Sequence, residues 1–254
     1  MPCRNIKTTL AYDGTDFSGW QVQKDNRTVQ GVMEDVLKTL HGHPVRIQGA
    51  GRTDSGVHAS GQVANFHTDL DSIPDFKFCD ALNALLPQDV RVLASRQVAG
   101  SFNAKTRAVM RFYKYYLYVA QVGLPHYRRY CWKIRQRPDL ESLNRIASRL
   151  VGEHDFSTFS AAGDSSKSKV RLIYSAAFYP EAPFLVFRIA ASSFLWKMVR
   201  SVVGTILEIA QKGLGSEEME RIINAIDRSC AGTTAPARGL FLERILYEQA
   251  IYPC

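Results

Sequence analysis

The sequence predicts an α+β fold of two ferredoxin-like halves, with mainly antiparallel sheets and the helices on one side. Two observations carry this prediction. Strand and helix patterns follow the order β-α-β-β-α-β in both halves, and Gly100 with Ser101 marks a join without a long linker. A chain of 254 residues is long enough for two small domains. We therefore predict an N-terminal domain over 1–98 and a C-terminal domain over 99–254.

The first half alternates between strand and helix patterns. Alternating apolar residues predict strands at 4–12, 45–50, 61–68 and 90–98. Apolar residues at helical spacing predict a helix over 28–41. A second helix is predicted over 75–85, because Pro74 precedes it and Pro87 follows it.

The second half repeats this order with additions. Strands are predicted at 111–120, 170–179, 183–190 and 240–249, and helices at 139–150, 195–212 and 216–227. The repeat lies in the order of elements, since no sequence identity between the halves is visible.

A glycine-framed acid is the most informative local feature. Gly51-Arg-Thr-Asp-Ser-Gly-Val-His58 follows a predicted strand and brings Asp54 close to the guanidinium of Arg52. Glycines permit positive φ and close backbone approach, so they predict a tight loop that brings one acid against a bulky substrate. The segment matches neither a phosphate-binding P-loop nor a dinucleotide fingerprint. The alternative is an aspartate that only caps a turn.

Charge is concentrated in one span. Residues 90–138 hold eleven Lys and Arg, nine aromatic residues and no Asp or Glu, so the rest of the chain carries about −3 of the net +8. Basic charge with aromatic rings suits phosphate neutralisation and base stacking. Alternate aromatics from Phe112 to Val119 predict the buried face of a strand, while 128–137 is predicted to be exposed. The favoured partner is nucleic acid.

Composition argues against a membrane-spanning protein, a secreted protein and a disulfide or zinc framework. No apolar run reaches 18 residues, and the first residues lack the apolar segment of a signal peptide. The five cysteines are scattered without a Cys-x-x-Cys pair, which predicts reduced thiols in a cytoplasmic protein and no metal site.

The helix predicted over 195–212 contains an unusual cation. Arg200 lies near the helix start, where a positive charge opposes the helix dipole. Trp196 and the small residues Ser201 and Gly204 share its side of the helix. An exposed arginine on a solvated face is the ordinary explanation, but these neighbours predict a face that meets something closely.

Several ordered motifs are similar to those of the tRNA pseudouridine synthase A family. They are Gly51–His58, Tyr12–Gln21, Arg111–Tyr115, Gly152–Phe156, Phe194–Gly204 and Gly239–Leu242. Because they span nearly the whole chain in order, the resemblance is specific. It implies two related halves with an active cleft between them, isomerisation of uridine to pseudouridine at tRNA positions 38, 39 and 40, a homodimer, and no cofactor.

The resemblance also implies roles for individual residues. Asp54 corresponds to the catalytic aspartate, Tyr113 to the tyrosine beside the target base, and Arg200 to the arginine that pairs with the aspartate. Arg52 corresponds to a loop arginine that contacts RNA. Further candidates for RNA contact are Thr53, His58, Lys105, Arg107 and Arg111. For His58, structural support of the loop is the alternative.

The chemistry needs only one ionised carboxylate. Asp54 could attack ribose C1′, add to the uracil ring or remove a ribose proton, and the sequence does not choose among these. Burial would raise the pKa of Asp54, and a nearby guanidinium would oppose that shift. Two alternative functions remain. One is a non-catalytic RNA-binding protein. The other is a carboxylate-dependent nucleoside hydrolase, which ordinarily needs a second acid; Asp69 is the nearest candidate.

Overall fold

A computed structural model describes residues 4–247 and shows an α+β fold with mostly antiparallel strand pairing, as predicted. The chain forms two compact units. The first contains the described residues up to Val109 and those from Leu242 on, and the second contains Met110–Phe241. The ferredoxin-like description of the halves and the domain bounds 1–98 and 99–254 stay predictions.

The first unit has the predicted order of elements. Its strands are β1 (Arg4–Tyr12), β2 (Ile47–Gly49), β3 (His58–Thr68) and β4 (Val90–Val98), and its helices are α1 (Val29–His41) and α2 (Phe78–Asn83). Strand β1 pairs antiparallel with both β3 and β4, and β2 pairs antiparallel with β3. Helix α1 begins where the Thr28 side chain accepts the Gly31 N–H, and it ends at Gly42 in the left-handed region.

The second unit contains the remaining elements. Its strands are β5 (Ala108–Val119), β6 (Trp132–Ile134), β7 (Gly152–Asp155), β8 (Val170–Glu181) and β9 (Phe184–Ala191), and its helices are α3 (Leu140–Ser148), α4 (Met198–Gln211) and α5 (Ser216–Asn224). Strand β9 pairs antiparallel with β5 and β8, and β8 with β7, whereas β6 runs parallel to β5. A last strand, β10 (Leu240–Tyr247), lies beside β3 over the residues that belong to the first unit.

Each unit buries an apolar face of its own helices. In the first unit α1 buries Val29, Met33 and Leu37, and the Phe78 ring of α2 packs edge-on against Phe66 of β3. In the second unit α4 buries ten of its fourteen residues. These cores fix the ends of the strands and helices from which the candidate site residues project.

Several details differ from the predictions, among them β3, which begins at His58 instead of 61. Helix α4 starts at Met198 instead of 195, because Lys197 has a φ of 60°, which a right-handed helix does not allow. Strands β6 and β7 were not predicted, because three or four residues are too few to show an alternating pattern. Predicted strand residues 248–249 lie outside the described part of the chain.

The cysteines in the described part of the chain, Cys79, Cys131 and Cys230, are free thiols. Cys3 and Cys254 lie outside it. Within residues 4–247, no helix has both the length and the apolar character needed to cross a membrane.

Candidate active site

The loop that carries Asp54 rests on the segment that follows β1. Gly14 lies so close to the loop that a Cβ atom there would come within 2.0 Å of the Val57 carbonyl oxygen. Real Cβ atoms do not approach an oxygen so closely, so only glycine fits at this position. The Asp13-Gly14 turn is therefore part of the site's support.

A second close contact lies directly behind Asp54. Gly19 has a φ of 92°, and a Cβ there would lie 2.6 Å from the Thr53 carbonyl oxygen and 3.1 Å from the Asp54 carbonyl carbon. The next residue, Trp20, donates its N–H to the Thr53 carbonyl at 3.1 Å, and Val57 donates to the Asp54 carbonyl at 3.1 Å. The backbone on both sides of the carboxylate is thus fixed.

The segment 13–20, which packs against the Asp54 loop, is itself attached to helix α1. Val29 N–H donates to the Gly19 carbonyl at 3.2 Å, and Gln30 N–H donates to the Trp20 carbonyl at 3.0 Å. These two N–H groups belong to the first turn of α1, where no partner exists inside the helix. The helix start therefore anchors the segment that holds the loop.

Buried polar side chains complete the frame. The Tyr12 hydroxyl lies 2.8 Å from Thr53 Oγ1, and the Gln62 amide donates to the Gly51 carbonyl at 2.8 Å. Burial raises the pKa of Tyr12 to about 12, even though hydrogen bonds with Thr53 and Gln62 favour its ionised form. The hydroxyl stays protonated near neutral pH. Thr53 is buried, so its hydroxyl faces Tyr12 within the protein.

The ring of His58 is fully buried at the start of β3. Its Nδ1 accepts the Gly14 N–H at 3.0 Å, which requires an Nδ1 without a proton. Asp13 Oδ1 lies 3.2 Å from the same nitrogen and also accepts hydrogen bonds from the Thr15 N–H and hydroxyl. Both contacts attach the ring to the Asp13-Gly14 turn. Of the two alternatives for His58, the buried ring favours support of the loop.

The charged side chains of the loop are more accessible. Asp54 is half-buried, and Arg52 is exposed with its Nε donating to Gln21 Oε1 at 3.2 Å. The loop therefore combines a fixed backbone with a half-buried carboxylate and an exposed guanidinium. Such an arrangement can bring a preformed carboxylate to a substrate without moving the loop.

Tyr113 and Arg111 lie on β5 in the second unit. Tyr113 is buried and opposite Ile189 on β9, and its ring meets Phe194 edge-on with centroids 5.1 Å apart. Arg111 donates to the Ser192 carbonyl at 2.6 Å. Strand β5 thus positions both residues beside the segment that leads into α4.

Arg200 lies in the first turn of α4. Its surroundings explain why this side of the helix was predicted to pack closely against another group. Its Nε donates to the Ala235 carbonyl at 2.8 Å, and its own carbonyl accepts the Ala235 N–H at 3.1 Å. A Cβ on Gly204 would lie 1.7 Å from the Thr233 carbonyl oxygen. The small residues of α4 therefore admit a segment of the same unit, and that segment fixes the guanidinium.

The remaining candidates lie along the basic span. Lys105 and Arg107 are exposed just after a turn in which Asn103 Oδ1 accepts the Lys105 N–H at 2.9 Å. Further along, exposed arginines occupy the region predicted to be open. They are Arg128, Arg129, Arg135 and Arg137. The structure confirms the exposure of these arginines, but Cys131 and Ile134 in the same predicted stretch are buried, because Ile134 belongs to β6, which pairs with β5, and Cys131 directly precedes that strand.

Asp54 belongs to the first unit, and Tyr113 and Arg200 belong to the second. In the described part of the chain, no three or more His, Cys, Asp or Glu residues form a group that could hold a metal ion. Asp69, the second acid that a hydrolase would use, follows β3 and lies 3.0 Å from His43 Nε2.

Sequence reasoning missed the supporting residues. Tyr12, Gly14, Gly19 and Trp20 lie in a motif that the resemblance had included, but no role was predicted for them. The sequence did contain one signal, which was the placement of Gly14 and Gly19 on either side of the aromatic residue Phe17. Gln62 gave no signal, because one glutamine in a strand does not differ from a surface residue.

Comparison with known proteins identifies the family of this chain. Residues 9–104 and 146–248 match the family described as tRNA pseudouridine synthase. A tRNA pseudouridine synthase A from Treponema denticola is 44% identical over 251 residues, covering 97% of this chain and 94% of the relative. The protein of the same name from Moorella thermoacetica is 43% identical, and the alignment covers 97% of this chain and 100% of the relative. The one from Thermoanaerobacter sp. strain X514 is 40% identical, with 96% of this chain and 100% of the relative covered. This chain belongs to the tRNA pseudouridine synthase family.

Proposed function

We propose that this protein converts uridine to pseudouridine in the anticodon stem-loop of tRNA, at positions 38, 39 and 40. Family membership supports the isomerase activity and the tRNA substrate. The choice of positions rests on the resemblance of the motifs, as do a homodimeric assembly and a cytoplasmic location.

The reaction breaks the bond between uracil N1 and ribose C1′, turns the base, and joins it to C1′ through carbon C5. The C5 proton is lost and N1 gains one, so atoms and oxidation level balance. The carboxylate of Asp54 starts the reaction, and the exocyclic groups of uracil are unchanged.

The observation that carries this proposal is the way in which Asp54 is held. Gly14 and Gly19 pack against the loop backbone, and the carbonyls of Thr53 and Asp54 are hydrogen-bonded, while the carboxylate is only half-buried. A turn cap would not need such a frame. An acid that must meet a flipped base in one orientation gains from it, because geometry fixed in advance lowers the barrier.

The roles of Arg200, Tyr113 and Arg52 follow the resemblance, and the remaining roles rest on charge and burial. Arg200 keeps the Asp54 carboxylate ionised, and Tyr113 packs on the flipped uracil, which returns part of the few kcal/mol that unstacking costs. Arg52, Lys105, Arg107 and Arg111 neutralise phosphates. Thr53 and His58 act within the protein by holding the loop.

The test is the replacement of Asp54 by Asn, which keeps size and removes the negative charge. We expect pseudouridine formation on unmodified tRNA transcripts to fall by at least about 10³-fold, with tRNA affinity within about threefold of the wild type. The matched control is Asp69→Asn, which removes an exposed carboxylate in the same unit and should leave the rate unchanged. Pseudouridine formation by the Asp54 variant at the wild-type rate would contradict the assignment.

The product distinguishes the two alternative functions. An isomerase gives tRNA of unchanged mass in which the mapped uridine has become pseudouridine. A nucleoside hydrolase would release free uracil, and an RNA-binding protein would shift tRNA in a gel without any product. Mapping the modified sites on several transcripts tests positions 38, 39 and 40.

A further inference from the structure

Trp196 is an exposed aromatic residue in the segment that joins β9 to α4. Its exposed fraction is 45%, whereas Trp20 is only 2% exposed. A single exposed ring does not by itself indicate a partner. The surroundings of Trp196 do indicate one.

The backbone of Trp196 is fixed on both sides. Its N–H donates to Asp164 Oδ2 at 2.6 Å, and its carbonyl accepts the Ala161 N–H at 3.0 Å. A Cβ on Gly163 would lie 3.7 Å from an edge atom of the indole ring. The loop that begins at Ala161 therefore fixes the Trp196 backbone and contacts one edge of its ring.

Asp164 organises this loop. Its side chain is only 5% exposed, and its Oδ1 lies 2.6 Å from the Lys169 ammonium. Burial opposes ionisation, but the hydrogen bonds from Lys169, Trp196 and Ser166 dominate and hold the pKa of Asp164 well below its ordinary value. The acid is thus neutralised within the loop and does not repel a polyanion beside Trp196.

A cation accompanies the ring. The Lys197 ammonium lies over the face of the Trp196 ring, 4.9 Å from its centroid, and the Lys197 backbone has a φ of 60°. A lysine in the left-handed region carries local strain, which persists only where the surrounding structure imposes it. A base that stacks on this face displaces the flexible ammonium, which can then bind the neighbouring phosphate, so the pair suits a nucleotide.

The position of Trp196 along the chain places it near Tyr113. Phe194 meets the Tyr113 ring edge-on at 5.1 Å, and Trp196 follows two residues later, within about 7 Å of chain. Tyr113 is the residue that packs on uracil under the proposed function. Trp196 therefore lies two residues from a ring that contacts the residue proposed to hold the target base.

We propose that Trp196 is a stacking platform for a tRNA base that neighbours the target uridine, and that Lys197 binds the phosphate next to that base. This inference rests on the proposed function for the identity of the RNA. It assigns Trp196 to substrate binding, and Asp164 is a positioning residue that acts through it.

The test compares three variants in steady-state kinetics on an unmodified tRNA transcript. Trp196→Ala should raise KM about tenfold with kcat within about threefold, because stacking is lost while the chemistry is intact. Trp196→Phe retains an aromatic face and should recover most of the loss. Tyr174→Ala is the matched control, because Tyr174 lies in the same unit with the same 45% exposure, and its KM should be unchanged.

A second readout does not depend on turnover. In the Asp54→Asn protein, tRNA should quench part of the tryptophan fluorescence, and the added change Trp196→Phe should remove that part. Equal KM values for Trp196→Ala and the wild type, or quenching that survives Trp196→Phe, would overturn the inference. A Trp196→Ala protein with altered oligomeric state and unaltered tRNA affinity would do so too, since the ring would then cover a protein surface. If the wild type binds tRNA but forms no pseudouridine, the proposed function fails, while quenching still decides whether Trp196 stacks.

Discussion

The loop around Asp54 and the helix start around Arg200 are positioned in different ways. In the first unit the backbone of the loop is fixed, by Gly14 and Gly19 from outside and by hydrogen bonds to the carbonyls of Thr53 and Asp54. In the second unit part of the functional side chain is fixed, because Arg200 Nε donates to the Ala235 carbonyl. The position of Asp54 therefore depends on close packing of the main chain, whereas the position of Arg200 depends on a directed hydrogen bond from its guanidinium.

The largest effect should come from breaking the backbone packing in the first unit. In Gly14→Ala the new Cβ would meet the Val57 carbonyl oxygen at 2.0 Å, so the loop must move by about 1 Å. We expect a stability loss of about 3 kcal/mol in chemical denaturation and a fall in kcat of about 10²-fold.

The control for this variant is Gly51→Ala. Gly51 lies in the same loop, but a Cβ there would meet nothing within 4 Å. Its denaturation midpoint should match the wild type. If Gly51→Ala and Gly14→Ala destabilise the protein equally, the loop is not held by the Gly14 contact.

A smaller effect is expected from changing the guanidinium in the second unit. Arg200→Lys keeps the positive charge. A guanidinium can donate from Nε to the Ala235 carbonyl while its terminal nitrogens contact another group, but the single nitrogen of a lysine cannot do both in this geometry. We expect kcat to fall by about 10- to 100-fold with stability changed by less than about 1 kcal/mol.

Arg238→Lys is the matched control for Arg200→Lys. Arg238 Nε donates to the Cys131 carbonyl at 3.2 Å in the same unit, outside the residues proposed for catalysis. It should give the same small change in stability and leave kcat unaffected. A kcat for Arg200→Lys equal to that of the wild type would show that charge alone is sufficient.

The smallest effect should follow from Tyr12→Phe. The change removes the hydroxyl that lies 2.8 Å from Thr53 Oγ1 and leaves that buried threonine without this partner. We expect a loss of about 1–2 kcal/mol in thermal or urea unfolding and a fall in kcat of at most about tenfold.

Tyr247→Phe is the matched control for Tyr12→Phe. The Tyr247 hydroxyl donates to the Ala104 carbonyl at 2.9 Å, and it too is buried in the first unit, but its partner does not belong to the Asp54 loop. A similar loss of stability without any loss of activity would separate support of the loop from general support of the core. An equal fall in kcat for both variants would remove the special role of Tyr12.

Local patterns sufficed for most elements of the fold. Helix α1 follows from apolar residues at helical spacing after Thr28, and β1 follows from alternation that ends at Asp13-Gly14. Helix α4 was predicted to start three residues too early, because apolar spacing does not reveal the left-handed φ of Lys197. Strands β6 and β7 were missed because pairing with neighbouring strands, and not their own pattern, makes them strands.

For the site, the sequence by itself determined the glycine-framed Asp54, the acid-free basic span and the presence of Arg200 at a helix start. Glycine content, charge and apolar spacing are properties of neighbouring residues, so they can be read without a fold. The tertiary structure decided that His58 supports Gly14, that Arg200 Nε donates to Ala235 and that Trp196 is exposed. The first two contacts join residues 44 and 35 positions apart, and burial depends on every element that packs around a side chain. Such relations exist only once the chain has folded.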